Sequence, residues 1–444
     1  MALAARRLRI LLLYEAVYPD NIGGVETRNW ELGRALGRRG HEVTLAGFCA
    51  PLPGEPPNVR VLPMGPSPRL YNAGGRRSTR AALRFAAAVA QLDVAPYDVV
   101  ETANMPYVHL LPLAVRCRLA GKPLLVSWYE YWAGYWRGYV GAAKAPVYRT
   151  IEWLTAQLGR AATASSRLTL ERLAPRRHRR GTVELVPCGI EVERVRAAAA
   201  AGEATTRAIH GGGATEGEPA PPLVFAGRLL EHKRLDLLLA ALPRIAAAVD
   251  GATSTPAVVR PGTSTPTPPG AESGTSSSAT PAPTHSAPLL TIFGEGPDRH
   301  RLEALASELG VAARVRFRGH VATSEEVWRE LARARVAVQP SAREGFGLFP
   351  LEAMAAGLPV VHCESSESAV AELVRDGVEG VAAPADAAGL AAALGALLAD
   401  EPRRARLAAA ARARAAEYDY DAIAAQFERA CESLLSGRRS VGSR

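Results

Sequence analysis

Cysteine is scarce in this chain. Five thiols in 444 residues (Cys49, Cys117, Cys188, Cys363 and Cys431) form no C-x-x-C pair and no cluster with other ligand-type side chains. That excludes a disulfide-stapled scaffold and fits a reduced, cytosolic protein with buried structural thiols. Long apolar runs are missing too. A spanning helix needs about 18 apolar residues, and no stretch reaches that. Met1 to Leu13 sets arginines ahead of an apolar run, but the run is short and leads directly into a loop-and-helix pattern. It reads as a first strand, not as a signal peptide. Metal-ligand spacing is also lacking. Asp419 and Asp421 form a D-x-D, but the pair stands at a helix start, where aspartates cap N–H groups and favour the dipole. No metal and no other cofactor is expected.

What is present is apolar bulk and positive charge. Hydrophobic residues make up 48% of the chain, enough for two domains with large cores. The formal charge of +9 suits anionic partners such as a nucleotide diphosphate or an acidic membrane surface. No nucleic-acid partner is expected. Leu8 to Leu13 is near-continuously apolar, like a buried parallel strand. A loop ending in Gly23-Gly24-Val25-Glu26 follows, then an amphipathic helix to about Arg39 and a strand at Val43 to Ala46. Strand, glycine turn, helix, strand is a βαβ unit whose turn lets a ligand approach the backbone. The same alternation recurs to the end of the chain and predicts an α/β protein with doubly wound sheets.

The most informative stretch is Val336 to Pro359, VAVQPSAREGFGLFPLEAMAAGLP. An alternating strand ends at Pro340, a glycine-bearing loop follows, and a helix is expected with Pro350 at its first position and Gly357 as its stop. N–H groups around Gly347, Leu348 and Phe349 then lie at the helix's positive end, where phosphate binds. Glu344 lies before that helix, and Glu352 is placed in its first turn. Two carboxylates so spaced reach different parts of one ligand.

The pattern PS-x2-EGFGL-x3-EAMAAGLPVV resembles glycosyltransferase family 4, and nearly the whole chain outside one insertion follows that family. The resemblance implies the GT-B architecture, two Rossmann-like domains facing across a cleft. It also implies transfer of a sugar, with retention, from a UDP- or GDP-linked donor to an acceptor hydroxyl on a glycan, lipid or small molecule. By the same resemblance Glu344 contacts the donor sugar and Glu352 the ribose, with Gly345, Phe346, Gly347 and Leu348 between them. Gly227-Arg228-x4-Lys233 resembles the segment that grips the donor's phosphates, although the family often has glycine where this chain has Arg234. Gly23 and Gly24 would face the diphosphate and sugar. Gly294 opens a further donor-side turn, and Gly319-His320-Val321 is the loop expected at the nucleobase. Relatives carry histidine where this chain places Tyr129 in the aromatic run SWYEYWAGYW; here Tyr129 is expected to position substrate without transferring a proton. The aromatic run itself reads either as packing or as a platform for a sugar or lipid acceptor. Other readings are a GT-B nucleotide-sugar isomerase or hydrolase and a non-catalytic nucleotide-sugar binder.

The expected boundaries are 1–190 for an acceptor-side domain, 191–222 for a flexible connection and 223–416 for the donor-side domain. Within the last, 251–288 is rich in Ser, Thr and Pro and reads as a disordered insertion. A helix at 417–436 is expected to return towards the first domain, ahead of a tail at 437–444. The basic run Pro175-Arg-Arg-His-Arg-Arg reads as a solvated loop, with an anionic membrane surface as the sharper alternative. The chain is placed in the cytoplasm, with the inner face of the cell membrane as its one candidate attachment.

Overall fold

The structure is a computed structural model that describes residues 6–21, 23–51, 54–70, 77–177, 181–211, 221–253 and 287–437. The first lobe is a seven-stranded parallel sheet: β1 (Arg9–Ala16), β2 (Glu42–Phe48), β3 (Val59–Pro63), β4 (Val99–Ala103), β5 (Leu124–Trp128), β6 (Ala161–Ala164) and β7 (Val183–Leu185), in the order β3-β2-β1-β4-β5-β6-β7. Its crossovers are α1 (Gly24–Arg38), α2 (Thr79–Val89), α3 (Leu110–Leu119), α4 (Trp136–Val140) with α5 (Ala145–Ala156), and α6 (Arg167–Leu173). Helices α2 to α5 bury their inner faces together on one side of the sheet, around Phe85, Leu113, Trp128 and Trp136. The other side is covered by α1.

The chain leaves this lobe through α7 (Val192–Gly211). This corrects the flexible connection expected from glycine and alanine content. Alanine is the best helix former, and Val195, Ala198 and Ala199 are buried against the second lobe's core. Residues 212–220 lie outside the described residues, as do 254–286 of the Ser/Thr/Pro-rich stretch and 438–444.

The second lobe is a six-stranded parallel sheet: β8 (Leu223–Ala226), β9 (Leu290–Phe293), β10 (Val315–Gly319), β11 (Val336–Gln339), β12 (Val360–Cys363) and β13 (Gly380–Ala383), in the order β10-β9-β8-β11-β12-β13. It is wrapped by α8 (Leu235–Thr253), α9 (Arg299–Glu308), α10 (Ser324–Leu331), α11 (Leu348–Ala356), α12 (Val370–Leu373), α13 (Ala387–Ala399) and α14 (Glu401–Ala416). A last helix, α15 (Tyr420–Ser436), lies on the first lobe, where Tyr420, Ile423, Phe427, Cys431 and Leu434 share a core with α1 and β1. The two crossings between lobes run side by side: Ile190 N–H donates to Tyr418 O at 3.0 Å and Tyr420 N–H to Ile190 O at 3.2 Å. Asp419 caps α15 by accepting from Asp421 N–H.

In both sheets the strand order reverses beside the first strand, between β1 and β4 and between β8 and β11. Open α/β sheets bind ligands outside such switch points, at the carboxyl ends of the strands. The loops after β1, β8 and β11 carry Gly23, Arg228 and Glu344.

Two local expectations change. Arg177, in the run expected to be solvated, is buried and donates to the carbonyls of Ala156, Leu158 and Gly159 at the end of α5. A guanidinium there satisfies carbonyls left without helical partners and favours the negative helix end. Residues 178–180 lie outside the described residues. In addition, α11 begins at Leu348, so Pro350 is its third residue and Glu352 lies beyond its first turn. Proline is tolerated there because the first four N–H groups of a helix have no intrahelical partner.

Candidate functional site

Strand β11 ends at Gln339, and the following loop meets the turn after β8, where Ala342 N–H donates to His232 O at 2.9 Å. Lys233, from the short 3-10 turn Glu231–Lys233 after β8, pairs with Glu344. Their side chains are 16% and 13% exposed, so the pair sits in a partly desolvated cleft. Gln339 Nε2 also donates to Glu344, which fixes the carboxylate between an ammonium and an amide. Arg228 stands exposed at the end of β8. Arg234 takes the left-handed conformation, φ 53° and ψ 37°. That geometry accounts for the glycine expected there by resemblance, since a side chain in this region costs about 1–2 kcal/mol.

The positive ends of two helices meet across the cleft. Gly347, in left-handed geometry at φ 108°, turns the chain into α11, and α1 starts at Gly24. A Cβ on Gly24 would lie 3.4 Å from Leu348 Cδ1. The first N–H groups of both helices therefore border one space, a favourable place for a diphosphate. Glu26, which the sequence reading passed over, folds back onto the α1 start. Its Oε2 would lie 2.5 Å from a Cβ on Gly23, and burial raises its pKa against the help of its own N–H.

Glu352 faces out of α11 with its carboxyl pushed up to about 7, chiefly by burial; the neighbouring Trp328 indole offsets this only in part. Phe346 is half-buried, and its ring packs 5.7 Å from that of Tyr418. Gly294, at φ 115°, has the space of a side chain filled by the Gly227 carbonyl, so the two strand-end turns pack closely there. His320 is exposed after β10, and Val321 is half-buried against the second-lobe core.

Across the cleft the first lobe brings Tyr129 and Glu130. The Tyr129 hydroxyl, expected to meet substrate, is enclosed without a hydrogen-bond partner. Burial drives its pKa well above the ordinary phenol value, while the nearby Arg28 pulls the other way. Arg28 itself is buried and paired with Glu101 at 2.8 Å. What Tyr129 offers the cleft is its carbonyl, which accepts from Ser165 Oγ at 3.0 Å and lies against Gly345.

Four residues given no individual role by the sequence, Glu130, Tyr135, His232 and Arg343, complete the contact. Arg343 is buried, donates to Glu130 at 3.3 Å and Glu367 at 3.4 Å, and lies 4.2 Å over the Tyr135 ring. Glu130 is held above the usual carboxylate range by burial, against the pull of Arg343. The Tyr135 hydroxyl reaches His232 Nδ1 at 3.4 Å. Burial, with help from Lys233, pulls the His232 pKa down to about 4, so the imidazole is neutral near pH 7. Arg343 directly precedes Glu344, which is the signal that could have found it. The aromatic run is mainly packing, with Trp128, Tyr131 and Trp136 buried. Glu152 holds it together, accepting from the Trp132 and Ala133 amides, the Trp136 indole and the Tyr107 hydroxyl. Among the described residues, no group of three His, Cys, Asp or Glu is placed to hold a metal ion.

Two family models match the chain: Glycosyltransferase Family 4 over residues 22–194 and Glycosyl transferases group 1 over residues 277–414. The chain is 28% identical over 442 residues to a glycogen synthase of Mycobacterium tuberculosis, covering 94% of this chain and 92% of that protein. Among solved structures it is similar to the sucrose-phosphate synthase of Thermosynechococcus elongatus, with TM-score 0.69, 21% identity, and coverage of 97% and 100%. It is also similar to the Anabaena protein HepE in complex with UDP and glucose, with TM-score 0.66, 18% identity, and coverage of 96% and 100%.

Proposed function

As the chain belongs to glycosyltransferase family 4 and has the GT-B fold, we propose that it moves a hexosyl group, with retention, from a UDP- or GDP-linked donor to a hydroxyl of a glycan or lipid-linked acceptor. The observation that carries this reading is the meeting of the α1 and α11 N-termini beside the Lys233–Glu344 pair. Developing charge on a departing nucleoside diphosphate is the largest electrostatic demand of glycosyl transfer, and preorganised donors meet it without reorganisation. Arg228 and Lys233 hold the diphosphate, with the N–H groups at Gly24 and Leu348. Glu344 orients the sugar, and Glu352 accepts from the ribose hydroxyls. The loop Gly319-His320-Val321 borders the base.

Retention by front-face substitution suits these groups. Glu344 is engaged by Lys233 and Gln339, and Glu130 by Arg343, so neither is poised as a nucleophile. The bond from the anomeric carbon to the phosphate oxygen breaks. The acceptor oxygen bonds the same face, and its proton passes to the leaving phosphate. HepE's complex with UDP and glucose makes UDP-glucose the first donor to try.

The test is thermal stabilisation by UDP-, GDP- and ADP-sugars, followed by nucleoside diphosphate release with and without acceptor. A bound ligand at a hundredfold excess over its Kd adds about 2.7 kcal/mol. Acceptor-dependent release with an unchanged anomeric configuration by NMR supports the proposal. Release independent of any acceptor would point to a hydrolase, and binding without release to a non-catalytic binder.

A further inference from the structure

Among the described residues, seven of the first lobe's large apolar side chains are exposed, and all seven lie on one layer of helices. They are Leu83 on α2, Leu111, Val115 and Leu119 on α3, and Val147, Trp153 and Leu154 on α5. Leu111, Val115 and Leu119 recur every fourth residue, so they form one stripe along α3, with Leu119 79% exposed. Inward-facing residues of α2 to α5 share one core on one side of the sheet, which makes the outer surfaces of these helices a common face. Contiguous exposed apolar surface of this kind marks an interaction site.

The charges on that face have one sign. Arg80 and Arg84 on α2, Arg118 on α3, Arg137 on α4, and Lys144 and Arg149 at α5 are all exposed. None of helices α2, α3, α4 and α5 presents an exposed carboxylate: α2, α3 and α4 contain none, and the one on α5, Glu152, is buried. The exposed Asp93 lies on the loop beyond α2. Beside α5 a cavity of about 410 Å³ opens, lined in part by Tyr131, Trp153, Arg149, Arg176 and the buried Glu152. Apolar and aromatic side chains ringed by exposed cations, with Glu152 as the one carboxylate on these helices and that one buried, match a surface whose outside is anionic and whose inside is hydrocarbon. A protein partner would call for directional polar pairing that this face does not offer.

We infer that the outer face of α2, α3, α4 and α5 docks on an anionic lipid bilayer, inserting the Leu111-Val115-Leu119 stripe and Trp153 at headgroup depth. Such binding adds apolar burial to electrostatic attraction. Helix α4 and the Tyr135 that meets His232 lie in the same layer, so the docked face continues to the mouth of the cleft. The inference is independent of the donor and reaction proposed above.

The full chain is tested by co-sedimentation with vesicles of phosphatidylcholine alone and with about one-third phosphatidylglycerol. One variant carries Arg80→Gln, Arg118→Gln and Arg149→Gln. A second carries Leu111→Ser, Val115→Ser and Leu119→Ser. All six side chains are exposed, and an unchanged Tm checks each fold. Binding to the anionic vesicles alone is expected, falling about fivefold per arginine neutralised, or on the order of a hundredfold for three. The apolar variant should lose at least about tenfold. Absence of vesicle binding overturns the inference, as does equal binding by both variants and the parent. A dimer in sedimentation velocity that the apolar variant alone dissolves would also overturn it, by showing that a second copy covers the face.

Discussion

Gly345 of the second lobe lies against the Tyr129 carbonyl of the first, and Ser165 Oγ is within hydrogen-bond reach of both carbonyls, at 3.0 Å from Tyr129 O and 3.5 Å from Gly345 O. A Cβ on Gly345 would fall well inside contact with that carbonyl and 2.5 Å from Glu130 Cγ. The glutamate can swing aside. The carbonyl, at the end of a buried strand, cannot.

Gly345→Ala therefore keeps the lobes apart. Turnover should fall about ten- to a hundredfold, as a misplacement on the order of 1 Å costs about a hundredfold. Nucleoside diphosphate affinity, built mostly on the second lobe, should change far less. Steady-state kinetics and calorimetric titration separate the two; an unaltered kcat would show that the contact plays no part in turnover.

The two central glutamates should respond differently. Glu344→Gln removes the charge that faces Lys233 and, on the proposed function, orients the donor sugar, so kcat should drop by orders of magnitude. Glu352→Gln weakens the ribose contact that the proposed function assigns to it, remote from bond-making, so KM and donor Kd should move more than kcat. Equal effects on both parameters from both substitutions would refute this division of roles.

The carboxyl of Glu352 also sets a pH dependence. Its pKa is raised from 4.5 to about 7 in the folded protein. The neutral form is favoured by folding, so this group's contribution to stability is fully present below pH 4.5 and is lost as pH rises through 7. Glu352→Gln should match the parent near pH 5 and exceed it in chemical denaturation at pH 8 by roughly 1–3 kcal/mol. Donor affinity in the parent should rise between pH 6 and 8, because the carboxylate is the better acceptor for ribose hydroxyls, and the variant should be flat.

Tyr129→Phe deletes a buried hydroxyl that has no hydrogen-bond partner. Leaving such a group unsatisfied costs about 1–3 kcal/mol. The variant should melt at or above the parent's Tm and retain kcat within about threefold, with an unchanged pH–rate profile. Loss of turnover would return the hydroxyl to the cleft in a catalytic conformation.

Much of this was legible because it is local. A strand, a polar loop and Gly347 before a helix put Glu344 and Glu352 where the chain's own geometry leaves them, and repeated strand–helix alternation implied parallel sheets. What escaped depends on distant partners. Arg343 looked like any loop arginine until Glu130, Glu367 and Tyr135 surrounded it. The burial of the Tyr129 hydroxyl is set by distant parts of the chain, with the Arg28 and Glu101 charges nearby coming from 101 and 28 residues earlier. The segment forming α7 departs from the flexible connection expected at 191–222 for a different reason: the helix propensity of its alanines and the burial of Val195 act together.

The position of α15 bears on the order in which the protein can be made. The apolar face formed by Leu32, Leu36, Ile10 and Leu12 is completed by Phe427, Cys431 and Leu434, which a ribosome adds more than 370 residues later. Throughout synthesis of the second lobe, the first lobe carries that face bare. Domains that fold as they emerge gain protection from early burial; this one must wait. A nascent chain halted before α15 should recruit holdase chaperones, and a stop codon at Tyr420 should yield aggregate rather than a truncated soluble protein.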